Sequence, residues 1–302
     1  VSARCTLEPL ADHQVSFRIR GVEHLRWHYG PSYPRPFFFP FRLAKDGESL
    51  TRMGHPGAPD HDHHRSIWFA HQKVSGVDFW SDRTEARIRQ LEWLAYQDGD
   101  DGAIMAVTLG WFDGHNPAPL LKQQLIAAVR PGDEGEIQLE LQSTFTPTAA
   151  TLEFGKTNFG FLAVRMAKAL STAFGTGRLT NSHGHTGEPA IFAKPATWVD
   201  YAGRRDEQVE GITYFDHPSN PSFPSSWHVR HDGWMGCSPT LRESVVTTQD
   251  KPLMLRYLLL AHARDMTPAQ AERTARPFHE SRPYALKKSP AANTAWGVRR
   301  ST

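Results

Sequence analysis

Four successive stretches decide the fold: RIRQLEWLAY (residues 87–96), AIMAVTLGWF (103–112), LKQQLIAAV (121–129) and EIQLELQSTF (136–145). Each alternates apolar and polar residues closely enough to give a strand with one face in a core. The separators are Asp98-Gly-Asp-Asp-Gly102, Asp113-Gly-His-Asn-Pro117 and Pro131-Gly-Asp-Glu-Gly135. Clusters of Gly, Asp, Asn and Pro supply the left-handed and fixed-φ positions that close hairpins. The stretch predicts a four-stranded antiparallel meander.

The flanking chain continues the pattern. Residues 14–20 (QVSFRIR) alternate as a half-buried strand. Beyond residue 150 the strand candidates are Leu152–Phe154, Phe161–Met166, Ala190–Tyr201, Gly211–Asp216, Trp227–His231 and Leu253–His262. One segment has a good helix start: Thr267 can cap, Pro268 takes the first helical position, and Ala269–Ala275 holds good helix formers, with Pro277 expected to end it. The tail, residues 281–302, is basic, poorly patterned and expected to pack partly as coil. No internal repeat or Ser/Gly linker divides the chain. The expectation is an all-β protein, a single large antiparallel β-sandwich domain over residues 1–302, with one short helix near 268–275.

Composition narrows the function. With 302 residues, 39% hydrophobic and 22% charged, the chain can bury a large core. Lys plus Arg number 34 against 32 Asp plus Glu, a net charge of +2 with no basic block, so a nucleic-acid partner is not expected. The longest apolar run, Leu253–Ala263, is interrupted by Arg256 and is far short of the roughly 20 residues that span a membrane. Cys5 and Cys237 form neither a disulfide framework nor a CxxC site. No signal-like segment follows Val1, which gives a cytoplasmic expectation, although a cleaved leader leaves no trace. GxSxG, P-loop and strand–GxGxxG–helix patterns are all missing, so serine-hydrolase, NTPase and Rossmann chemistry have no support.

Three loop segments concentrate unusual polar residues, and long loops tend to carry function. The first is Asp60-His-Asp-His-His-Arg65, followed by Ser-Ile-Trp-Phe69. On a strand, His61 and His63 would share one face and offer a metal two imidazoles, with His64 on the other. A third ligand would have to come from His183, His185, His217 or His228. The alternatives are a metal-free acid/base pocket, each His beside a carboxylate, and a plain polar loop. The second segment is Asn181-Ser-His-Gly-His185, whose glycine lets backbone approach a ligand; a wide exposed turn explains it equally well. The third runs from Asp216-His-Pro-Ser-Asn220 to Trp227-His-Val-Arg230. His228 and Arg230 share a strand face. A Trp, a His and an Arg on a rim suit a sugar, the ring stacking on C–H faces and the guanidinium bonding hydroxyls or a carboxylate. The competing reading is a core Trp with an exposed His and Arg.

Arg35-Pro-Phe-Phe-Phe-Pro-Phe-Arg42, Asp60-His-Asp-His-His-Arg-Ser-Ile-Trp-Phe69 and Gly76-Val-Asp-Phe-Trp80 resemble the opening signature of a bacterial domain family often labelled PmoA-like. Later blocks resemble it too: Leu179-x-Asn-Ser-x-Gly184, Trp198-Val-Asp-Tyr-x-Gly203, Gly211-Ile-x-x-Phe-Asp-His-Pro-x-Asn220 and Trp227-His-Val-Arg230. The likeness spans residues 30–262. Ser66 stands where the family commonly has Gly, and Ala193-Lys194 departs from Trp-Gly-Lys. The label's methane-oxygenase subunit is a membrane protein, against which the lack of a spanning segment argues. The resemblance implies instead a galactose-mutarotase-like supersandwich and, because relatives occur with sugar-oxidising enzymes, carbohydrate chemistry.

The resulting expectation is a carbohydrate-active enzyme that cleaves or isomerises a glycoside or keto-sugar by acid/base catalysis. His64, His183 or His228 would be the base, with Asp216, or a carboxylate beside the first cluster, orienting it. Arg65, His185, His217, Asn220, Trp227 and Arg230 would bind substrate. No cofactor is required on this reading. The alternatives are a metal-dependent sugar hydrolase or lyase, with a divalent ion on His61 and His63, and a non-catalytic carbohydrate-binding module. Oligomeric state is left open.

Overall fold

The meander forms as its turns dictate. The computed structural model describes residues 3–54, 61–290 and 294–302. In chain order the first strands are β1 (Cys5–Leu10), β2 (Gln14–Ile19), β3 (Val22–His28), β4 (Phe37–Phe41) and β5 (Ile67–His71). The meander follows as β6 (Arg87–Gln97), β7 (Ala103–Phe112), β8 (Leu121–Pro131) and β9 (Ile137–Pro147), each antiparallel to the next. Then come β10 (Thr151–Phe154), β11 (Gly160–Arg165), β12 (Arg178–Asn181), helix α1 (Glu188–Ile191), β13 (Trp198–Arg205) and β14 (Gln208–Asp216). The chain closes with β15 (Ser226–Arg230), β16 (Trp234–Ser238), β17 (Val245–Thr248), β18 (Leu253–His262), helix α2 (Pro268–Glu280), β19 (Tyr284–Lys288) and β20 (Trp296–Arg300).

Two eight-stranded antiparallel sheets result. Sheet one runs β1-β2-β3-β4-β5-β11-β16-β15 and sheet two β12-β13-β14-β18-β9-β8-β7-β6. Phe17, Phe69, Leu162 and Trp227 of sheet one share one buried cluster with Trp111, Leu125, Leu139 and Tyr257 of sheet two. This is an all-β sandwich whose core is the space between the inner faces. Strands β5, β11 and β16 are buried along their whole length, so the outer face of sheet one is covered as well. Among the described residues no helix is long and apolar enough to cross a membrane.

Two local expectations are corrected and a third is refined. Residues 190–201 are not one strand: Pro189 starts the short helix α1, and β13 begins only at Trp198. Helix α2 passes Pro277 and ends at Glu280. Pro277 removes one N–H so near the C-terminus that packing carries the last turn, with Phe278 buried against Trp198, Phe215 and Leu258. Thr267 does cap this helix, in a reciprocal box with Gln270. The tail is coil only in part: β19 and β20 pair and lie on sheet two, where Tyr284 exchanges backbone bonds with the Gln142 side chain.

Candidate functional site

The site candidate is built on the outer face of sheet one. Cross-strand register aligns Trp68 with Ala163, Ala163 with Gly236 and Gly236 with His228. Aligned residues in a sheet point to the same side, so Trp68 and His228 are the tall ends of a row with a low floor. The Trp234 ring lies over that floor: a Cβ on Gly236 would meet Trp234 Cζ2 at 3.5 Å. Trp234 stands 4.9 Å from the His64 ring, 5.5 Å from His228, 5.4 Å from Trp68 and 5.2 Å from Trp80, centroid to centroid. Trp80 arrives on a turn that Asp78 caps through the Trp80 N–H at 2.7 Å. Phe159 closes the group against His228 at 5.1 Å.

The indole N–H groups of Trp68, Trp80 and Trp234 are buried and have no hydrogen-bond partner among the described residues. A buried donor left unpaired costs on the order of 1–3 kcal/mol.

His228 is 3% exposed. Its Nδ1 donates to the Asn158 carbonyl at 3.1 Å, since a carbonyl can only accept. That bond fixes the tautomer and leaves Nε2 as a lone-pair acceptor. Burial, and then the Arg230 charge, pull the imidazole down to about 4. The ring is therefore neutral at physiological pH.

Ion pairs surround the aromatic group. Asp82 receives both Arg65 and the buried Arg35. Burial would raise its carboxyl, but these two guanidinium groups outweigh that and hold it below the ordinary range. Arg165, opposite Trp234 in register, forks onto Asp232 at 2.9 and 3.1 Å. Glu188 at the start of α1 accepts from Arg230 at 2.8 Å and from the His231 backbone at 2.7 Å.

The structure gathers some of the sequence-predicted residues and not others. His64, Arg65, His228 and Arg230 lie on or beside the outer face. Residues 61–64 form a turn, not a strand, with His64 N–H on the His61 carbonyl. His61, His63 and His64 therefore bunch together, their centroids 4.3–5.9 Å apart. Asp60 lies outside the described residues. His183 and His185 are exposed on the loop after β12, their backbone N–H groups held by Asn181 Oδ1 at 3.0 Å, and Glu188, where α1 follows that loop, bonds Arg230.

Four residues have structural positions instead. Trp227 points into the core and donates to the Ala196 carbonyl at 2.8 Å, so it offers no face to a ligand. Asp216 is fully buried and accepts from His217 N–H, Asn220 Nδ2 and Ser225 N–H at 2.7–3.0 Å. Burial raises its carboxyl, partly offset by those bonds. His217 packs under α2, bonded to Ser219 and the Phe278 carbonyl, and Asn220 bridges Asp216 and the Arg256 carbonyl.

Trp68, Trp80 and Trp234 escaped assignment. Trp68 follows the histidine segment and Trp80 ends Gly76-Val-Asp-Phe-Trp80, so both carried a local signal. Trp234 had only the Asp232-Gly233 turn before it. Among the described residues no group of three or more His, Cys, Asp or Glu side chains is arranged to hold a metal. A cavity of about 550 Å³ lies away from this face, beside α2, with Arg130, Glu140 and Arg300 among its lining residues. There Arg130, Arg256 and Arg300 converge on the Glu140 carboxylate as a structural ion cluster.

No curated protein matches the chain. Among solved structures, a "putative mutarotase" from Salmonella typhimurium is similar at 11% identity and a TM-score of 0.34, over 86% of this chain and 94% of that one. Neither comparison supports the PmoA-like label. Residues 14–276 match the model of a family of unknown function, DUF6807, and the chain belongs to that family.

Proposed function

We propose that this protein binds and transforms a carbohydrate at the edge of the buried aromatic group on the outer face of sheet one, beside His64 and His228. The observation that carries the reading is Trp234 bridging those histidines, in contact with both rings. Aromatic edges suit the C–H faces of a sugar, and its oxygens can accept from indole N–H groups. The chemistry that fits is acid/base cleavage or isomerisation of a glycoside, most readily of its keto form. A ketone acidifies the neighbouring C–H. A base takes that proton, and the electron pair passes into an enolate. The enolate then expels the oxygen at the β carbon, which a second group protonates. His64 is the proton carrier in this scheme, and neutral His228 orients a hydroxyl through Nε2. Arg65 and Arg230 flank the enolate charge. A metal on His61 and His63 is the variant that a chelator separates.

The low basicity of His228 favours a second reading, a carbohydrate-binding module without turnover. The test is a panel of glycosides and their 3-keto forms, with and without chelator, for wild type, His64→Ala and His228→Ala. Turnover by wild type that falls about 10²- to 10⁴-fold in His64→Ala supports the enzyme. Binding without turnover supports the module, and loss of activity with chelator moves the chemistry to a metal. Undiminished activity in both variants rejects the assignment.

A further inference from the structure

The same face carries a second compartment beside His228. Ser226 and Ser238 are paired in register, one row along from His228 and Gly236. Alternate residues of a strand share a side, so both serines face outward with His228. They line a cavity of about 340 Å³ with Pro195, Pro224, Arg242 and Glu243. That volume is at the small end of ordinary ligand sites. The compartment is coupled to the histidine through one atom: the Asn158 carbonyl accepts from His228 Nδ1 at 3.1 Å and from Ser238 Oγ at 2.8 Å. Arg242 Nε reaches Ser226 Oγ at 3.2 Å, which leaves the Ser226 proton free to donate. The other end of the row is the aromatic group, so His228 stands between an aromatic and a hydroxyl-lined space.

Chemically the compartment is unlike the aromatic one. It offers hydroxyls that donate and accept, a guanidinium, a carboxylate and the C–H faces of prolines. This mixture suits a neutral polyhydroxylated unit better than an anion or an apolar group.

Resting on the carbohydrate reading above, we infer that the ligand has at least two sugar units, one against the tryptophans and the next in the Ser226–Ser238 cavity, with the linkage over His228.

The experiment compares methyl glycosides of glucose, galactose and xylose with their 1,4- and 1,6-linked disaccharides, by titration calorimetry. A disaccharide should bind at least about tenfold more tightly than its methyl monoglycoside, the worth of one or two hydrogen bonds. Arg242→Ala, at an exposed rim position, should remove about three- to tenfold of that advantage and leave monoglycoside binding unchanged. Ser226→Val, which fills the cavity, should abolish the advantage; a thermal melt checks that it folds, and Arg242→Ala decides the matter if it does not. Equal affinity for both ligand sizes overturns the two-unit inference and leaves the carbohydrate reading standing. An advantage that neither variant reduces places the second unit elsewhere and also overturns it. Failure of every sugar to bind overturns both.

Discussion

Trp227 and His228 are consecutive yet serve opposite faces of β15: the Trp227 indole donates to the Ala196 carbonyl in the core, and His228 Nδ1 donates to the Asn158 carbonyl on the outside. Their substitutions should therefore separate stability from binding. Trp227→Ala should cost about 3–5 kcal/mol, as expected for emptying a core aromatic site, read from urea unfolding. His228→Ala should cost less stability and lose sugar binding. Equal effects of the two on binding at a temperature where both are folded would contradict the assignment.

The pH dependence has a definite sign. His71, His217 and His228 are held neutral, burial pulling them down to about 3, 4 and 4. In the unfolded chain they titrate near 6.5. Above that pH neither state binds the proton and the full stability is present. As pH falls from about 6.5 towards 4 the unfolded state takes up protons first, so stability is lost across that window. Urea midpoints from pH 8 to 4 test this, and His228→Asn should flatten the decline. A protein whose stability rises on acidification through this range would refute it.

Trp234 should matter through its ring. Trp234→Phe keeps an aromatic face and should retain sugar binding within a few-fold, while Trp234→Ala should lose about tenfold or more. Tryptophan fluorescence should respond to ligand in wild type, because Trp68, Trp80 and Trp234 are in mutual contact. No fluorescence change at a saturating sugar concentration would place the ligand elsewhere.

Asp216 should behave as a structural group. Its replacement by Ala leaves three buried donors unpaired and should cost about 3 kcal/mol or more. Protein that remains folded at low temperature should bind sugar as wild type does. A variant with unchanged stability but no turnover would instead restore the catalytic role.

The sequence by itself determined the parts whose signal is local. The meander of β6 to β9 was legible because each hairpin is closed by its own Gly, Asp and Pro residues. The α2 start was legible because Thr267, Pro268 and Gln270 are neighbours. The stop at Pro277 was misread because Phe278 finds its packing partners in Trp198, Phe215 and Leu258, far away in the chain. The shared face of His228 and Arg230 followed from period two alone. That same alternation put Trp227 inside, but only once the sheet's core side was known. The site belongs to the tertiary structure. Ala163 pairs with both Trp68 and Gly236, which are 168 positions apart, and Trp234 reaches His64 across a similar gap. Strand order is set by packing and hydrogen bonding between distant segments, so no local pattern announces which strands become neighbours. The burial that lowers His228 exists only after they have met, because desolvation is a property of the surroundings and not of the residue.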